Sequence, residues 1–193
     1  FEEQDKDLHT KIKQDCEIRM LNENKTIFWA NMTALVELNV NKKPTYHLVI
    51  SDISERKIFE NKLKLSASVF KNAGEAIMIT NLNGIISDVN ETFTKITGYS
   101  KKEVVGKKTN ILNSGRQNKE YYKKMWEILN NIGSWTGELC DKKKNGESFV
   151  GILIINAVYD HHGNPSHFVA LLSDITNIKL FFLMIFLIKE LVS

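Results

Sequence analysis

An α+β fold, an antiparallel five-stranded sheet with its helices on one side, is predicted by three observations. A strand-rich segment is written twice, and both copies close on nearly the same words, "SDISERK" at 51–57 and "SDITNIK" at 173–179. Ahead of the second copy stand helical stretches, the clearest with apolar residues recurring at spacings of three and four. A pair of short strands around an Asn/Gly turn precedes those helices. Strands joined by tight turns pair antiparallel, and helices grouped in one part of such a chain collect on one side of the sheet.

Taken in order, the first copy opens with "CEIRMLNEN", a strand running into a polar turn. "TIFWANMTALVEL" follows, a long run of β-branched and aromatic residues, and "HLVIS" then carries a third strand to Asp52. Pro44 ends the turn cluster before that third strand, a place where proline is favoured. Residues 135–176 repeat the pattern: "CDKKKNGE" answers the first turn, "ESFVGILIINAVYD" the long strand, and "FVALLSDIT" the last, again after a proline, Pro165. Repetition of a whole supersecondary unit means two copies of one domain. The first copy, residues 1–54, lacks a front half; the second has one. There, residues 76–80 and 85–89 form strands around "NLNG", residues 91–97 form a helix stopped by Gly98, and residues 101–105 add a turn ending at Gly106. "NKEYYKKMWEILNNIG" is the clearest helix, with Tyr122, Met125, Trp126 and Leu129 on one stripe and Gly133 as its stop.

Composition agrees with a globular domain: 42% of residues are apolar, 25% are charged, and the net charge is +3. Lysines occur in pairs and a triplet with acidic residues between them, so a basic nucleic-acid face is not expected. Cys16 and Cys140 make no disulfide framework and read as small strand residues in a reducing, cytoplasmic compartment. Residues 180–193 begin with "LFFLMIFLI", an apolar run without strand or helix period. Nine residues are fewer than the ~20 a membrane span needs, and the run reads as a cut-off span, an interface segment or sequence outside the native frame.

The second copy resembles a PAS domain with its C-terminal PAC segment over residues 66–179, and residues 1–54 resemble the PAC half of a preceding one. The motifs are Asp88, Asn90, Phe93, Thr97, Gly98 and Tyr99 in D-x-N-x-x-F-x-x-x-T-G-Y, Trp135 and Gly137 in W-x-G, then K-N-G-E and D-I-T. By that resemblance the Asp-Ile-Thr motif ends the last strand and starts a helix that relays a signal, which assigns the relay to Asp52 and Ile53 in the first copy and to Asp174, Ile175 and Thr176 in the second. The linker at 55–69 reads as such a helix. Asp52 or Ser54 caps it, and Phe59, Leu63, Ser66 and Phe70 step along one seam. The seam is either a parallel coiled coil between two protomers or the inner face of a helix on its own sheet. Similar proteins are commonly homodimers.

Family members bind flavin, haem, small metabolites or nothing, and no residue pattern here identifies a particular cofactor. Light-sensing LOV members carry a cysteine where this chain has Thr109, and flavin-edge amides where it has Asp141, Gly151 and Leu172, so LOV-type FMN is not expected. Haem-binding members place a histidine on the long helix, and residues 121–130 contain none. FAD-binding redox members, as in aerotaxis transducers and nitrogen-fixation regulators, share the Met-Trp and W-x-G layout but use an asparagine at the position of Asp141. An ionised carboxylate only accepts hydrogen bonds, which counts against FAD. Trp126 and Trp135 read equally as core. A ligand, if present, is expected against Trp126, Trp135, Leu139, Asp141, Phe149, Gly151, Leu153, Ala170 and Leu172, which alternate along three strands with the tryptophan of the long helix. The five histidines make no metal motif, and "GKKT" at 106–109 lacks the first glycine of a phosphate loop. Catalysis is not expected within this chain. Two functions remain: a sensory relay module, or a ligand-free dimerisation scaffold ahead of a histidine kinase or cyclic-di-GMP output domain.

Overall fold

The computed structural model describes residues 12–38 and 44–192. His9 and the turn cluster before Pro44 lie outside the described residues. The chain divides into two units, Phe1–Ser66 and Ala67–Ser193.

The first unit holds the three strands expected from the repeat: β1 (Ile12–Leu21), β2 (Ile27–Leu38) and β3 (Pro44–Asp52), antiparallel in that order. Lys25 takes a left-handed φ of 58° in the β1–β2 turn, and the Asn22 side chain accepts from Thr26 N at 2.9 Å to close it. Every residue of β3 is exposed, and Ala30 is the one fully buried apolar residue among the described residues of this unit. Cys16 is exposed on β1, so burial does not explain it. Helix α1 (Ser54–Asn72) follows and buries none of its residues, which leaves Phe59 and Leu63 of the seam open to solvent.

The second unit is a five-stranded antiparallel sheet with strands β4 (Ala76–Asn81), β5 (Ile86–Val89), β6 (Ser134–Lys142), β7 (Ser148–Tyr159) and β8 (Pro165–Asp174). Their spatial order is β5-β4-β8-β7-β6. Helices α2 (Glu91–Thr97), α3 (Lys101–Val104) and α4 (Lys119–Ile132) and a 3₁₀ turn (Thr109–Leu112) lie between β5 and β6. The α+β expectation holds, and the 3₁₀ turn is an element the sequence pattern did not show.

Caps set the helix ends. Asn90, buried, accepts from Phe93 N and from Ile77 N at 2.9 Å each and donates to Glu75 O at 2.9 Å, tying the start of α2 to β4. Asn118 accepts from Tyr121 N at 2.9 Å to start α4, and Gly98 and Gly133 end α2 and α4 with φ of 76° and 80°. The inward residues of the sheet, among them Met78, Leu153, Phe168 and Leu172, meet Phe93, Val104, Leu112, Met125 and Leu129 from the helical side in one core. Helix α5 (Thr176–Val192) leaves β8 and includes the apolar run from Leu180, so that run is helical despite lacking a period. Among the described residues no helix is long and apolar enough to cross a membrane.

Candidate functional site

Between the sheet and its helices lies a cavity of about 300 Å³. Its walls come from every layer of the unit: Met78 and Thr80 of β4, Phe93 of α2, Thr109, Asn110 and Leu112 of the 3₁₀ turn, Asn113, and Tyr122, Met125, Trp126 and Leu129 of α4. Leu139 and Asp141 of β6, Leu153 and Ile155 of β7, and Phe168, Ala170 and Leu172 of β8 complete it. Of the nine residues expected against a ligand, the cavity therefore gathers Trp126, Leu139, Asp141, Leu153, Ala170 and Leu172.

Trp135, Phe149 and Gly151 stand elsewhere. The Trp135 ring lies across Gly137, where an added Cβ would come within 2.4 Å of it, and meets Tyr121 edge-on at 6.0 Å. The W-x-G spacing is thus a packing device: residues two apart share a strand face, and only glycine leaves room for the indole. Phe149 is buried at the end of β7 with the Lys143 ammonium 5.6 Å from its ring centre. At Gly151, a Cβ would come within 2.5 Å of Leu172 Cδ1, so Leu172 covers Gly151 from the cavity side and any larger residue there has to push Leu172 aside.

The sequence reading missed most of the helical wall. The stripe Tyr122, Met125, Trp126 and Leu129 was legible as an apolar face; that it faces a cavity was not. Trp126 packs over Gly84, 3.4 Å from where its Cβ would be, and meets Phe168 edge-on at 5.8 Å. Thr109 lies in the wall where a light-sensing member would carry its thiol, and neither cysteine lines the cavity. Those residues do not fit a flavin that bonds to cysteine. No histidine lines it either, so the donor set does not fit haem.

Asp141 is the one carboxyl in the wall and is only 7% exposed. Burial pushes its pKa up to about 7. It therefore holds its proton well above the ordinary carboxylate range, and the protonated form offers an O–H donor beside an acceptor oxygen. That weakens the objection raised against an aspartate at this position. Tyr122 is held above the ordinary phenol value by its own burial and then by Asp141, and its hydroxyl donates to Asn113 Oδ1 at 3.4 Å.

The sheet reaches a second structure, at the start of α5. Ile175 N donates to Val150 O at 2.9 Å, and Val150 N donates back to Thr176 Oγ1 at 3.0 Å. Asp174 Oδ1 accepts from Thr176 N at 2.9 Å and from its hydroxyl at 2.6 Å. Burial acts to raise the pKa of Asp174, but the bonds from Thr176 and the nearby Lys143 outweigh it and hold the carboxyl below its ordinary value. Lys179, one turn along, pairs with Glu138 of β6. Asp52, Ile53 and Ser54 do the same in the first unit. Ser54 N reaches Asp52 Oδ1 at 2.8 Å, Trp29 N reaches Ser54 Oγ at 3.0 Å, Ile53 N reaches Trp29 O at 2.8 Å, and Lys57 pairs with Glu17 at 2.5 Å.

The second unit is thus an antiparallel five-stranded sheet with helices over one face, a cavity between them and a helix leaving the last strand. Residues 74–177 match the PAS domain family, and the chain belongs to it. The chain is similar to the nitrogen fixation regulatory protein of Klebsiella pneumoniae, 27% identical over 109 residues that make up 56% of this chain and 22% of that protein. It is also similar to a blue-light photoreceptor of Listeria innocua, 33% identical over 94 residues, 49% of this chain and 37% of that one. The chain thus spans 22% to 37% of the length of these relatives. Among solved structures, the PAS domain of a protein from Colwellia psychrerythraea superposes with a TM-score of 0.57 at 27% identity, over 60% of this chain and 98% of that one. A Rhodobacter sphaeroides LOV protein, at 19% identity and a TM-score of 0.52, shares the fold.

Proposed function

We propose that this chain is a signal-relay module of a bacterial signal-transduction protein: a small molecule in the cavity alters the sheet, and the Asp174-Ile175-Thr176 clamp passes the change to α5. The observation that carries this reading is the double use of β6 and β7. Leu139 and Asp141 line the cavity, while Glu138 on the same strand pairs with Lys179 of the exit helix. Leu153 lines the cavity, while Val150 on its strand accepts from Ile175 N and donates to the Thr176 hydroxyl at the helix start. A ligand that prefers one arrangement of these strands biases the clamp by that preference and no more. The cavity is at the small end of ligand sites, is mostly apolar, and carries a few polar groups, as such sites do.

The same reading places the module in the cytoplasm, ahead of a kinase or cyclic-di-GMP output domain, and makes it a homodimer through α1. Phe59 is 63% and Leu63 71% exposed on one seam, and an apolar seam of that spacing suits a parallel partner helix. A Leu63→Cys variant is expected to crosslink between two chains under mild oxidation; an absence of crosslinked dimer at micromolar concentration argues for a monomer.

A second reading, FAD-based redox sensing, draws on the likeness to the nitrogen fixation regulatory protein and on an Asp141 able to donate when protonated. An absorbance spectrum of the purified chain, with mass spectrometry of what denaturation releases, separates the cases. Twin flavin bands establish the redox reading. A colourless protein that is stabilised by a compound from a metabolite set supports the ligand relay, and Ala170→Leu, which fills the cavity, abolishes that stabilisation. A protein that responds to nothing is the ligand-free dimerisation scaffold.

A further inference from the structure

Asp141 is more than nine-tenths buried, belongs to the cavity wall, and has no hydrogen bond or ion pair to its carboxyl among the described residues. No lysine, arginine or histidine lines the cavity, so nothing in the wall neutralises it. The groups beside it carry no charge: Tyr122 from α4, Asn113, which bridges to it after the 3₁₀ turn, Phe149 opposite it on β7, and Cys140 next to it on β6. A carboxylate that is largely buried and left without a protein partner is costly, and the protein lowers that cost by holding a proton. A cation entering the cavity removes the same cost by pairing.

We propose that the cavity takes a small organic cation, a protonated amine or amidinium on an aromatic or apolar body, with its charge on the Asp141 carboxylate and its body against Tyr122, Leu139 and Leu172. This rests on the relay reading and names the ligand class for that cavity. Charge excludes the alternatives in order. An anion would meet the one ionisable acid of the wall. A neutral ligand with an acceptor gains a single hydrogen bond from the protonated acid, whereas a cation gains an ion pair in a poorly screened site. Four aromatic side chains in the wall add faces that attract cations.

The two chemistries respond to pH in opposite directions. A cation binds the ionised form and expels the proton, so its affinity rises with pH up to the carboxyl's own pKa near 7 and then levels. A neutral acceptor needs the protonated form and weakens as pH rises through the same range. Tyr122, held above the ordinary phenol range, stays protonated throughout and does not confuse the slope.

The test is calorimetric titration of the full chain with 2-phenylethylamine and tryptamine, and with 2-phenylethanol as the neutral counterpart, between about pH 5 and 8. Expected results are tighter binding of the amines than of the alcohol by about tenfold or more, and affinity that climbs by up to about tenfold per pH unit below 7. Asp141→Asn is expected to lose both the preference and the slope, and an unchanged circular dichroism spectrum shows that the variant is folded. Equal affinity for amine and alcohol, or an affinity that falls with pH, overturns the cation and leaves the relay reading in place. Failure of both amines to bind, with a neutral metabolite binding instead, does likewise. Failure of every compound to bind overturns the cation and the ligand relay together.

Discussion

The two units carry the same exit clamp on very different bodies. In both, an aspartate caps the helix start, a hydroxyl two residues on accepts a backbone N–H from the middle strand, and a lysine five residues after the aspartate reaches a glutamate of the first strand. Yet the first unit buries one apolar residue fully among its described residues, while the second assembles a core from β4 to β8 and α2 to α4 around a cavity. The difference teaches that the clamp needs only three strands and the first turn of a helix. The cavity needs the helical layer as well. The clamp is a local property of this repeat, and the cavity is a property of the whole domain.

The comparison breaks hardest in the core. Phe93, 1% exposed, touches sheet and helices alike, and Phe93→Ala is expected to cost about 3–5 kcal/mol. Ile50 in β3, about half exposed, is expected to cost under about 0.5 kcal/mol as alanine. Urea unfolding read through Trp126 and Trp135 for one unit and Trp29 for the other checks both. A large loss from Ile50→Ala instead shows that β3 is covered in solution.

Next comes pH. The folded-state pKa of Asp141 lies above its unfolded value, so the folded state holds the proton longer. Stability from this group is greatest below the ordinary carboxylate range and falls as pH rises towards 7, by up to about 4 kcal/mol in total. Asp141→Asn is expected to flatten that decline between about pH 4 and 7, measured as the unfolding free energy of the second unit. Asp174 has the opposite sign. Its depressed pKa contributes stability above the unfolded carboxylate value, and that contribution is lost as pH falls through the folded value. An unchanged slope in Asp141→Asn removes burial as the force acting on that carboxyl.

The smallest effect sharpens the likeness of the clamps. Ser54→Ala and Thr176→Ala each remove the hydroxyl that receives the middle-strand N–H, and each is expected to cost about 1 kcal/mol in its own unit. Faster amide exchange at Trp29 and at Val150, respectively, is the local signature. A cost in one unit without the other shows that the repeated motif is not used alike.

Much of this was legible beforehand because it depends on short-range chemistry. Gly98 and Gly133 stop helices by taking a left-handed backbone, and Asn90 and Asn118 start them by capping, and each requirement is local. Alternation along β6, β7 and β8 assigned their inward faces, since a strand has a period of two. It did not reveal that Leu172 folds over Gly151, or that the Trp135 ring lies across Gly137 outside the cavity. Alternation gives a side; only packing gives the neighbour. Thr109 and Asn113 sit in a 3₁₀ turn and loop without periodicity, so their place in the wall had no pattern to announce it.

By itself the sequence determined the repeat, the order of strands and helices, the caps and the family, because periodicity and turn chemistry are written into neighbouring residues. The tertiary structure alone decided that an empty volume lies beneath α4, that Asp141 faces it without a partner, and that a cavity strand also grips the exit helix. Those facts depend on residues far apart in the chain meeting across a packed interior, and no local pattern encodes the space left between them.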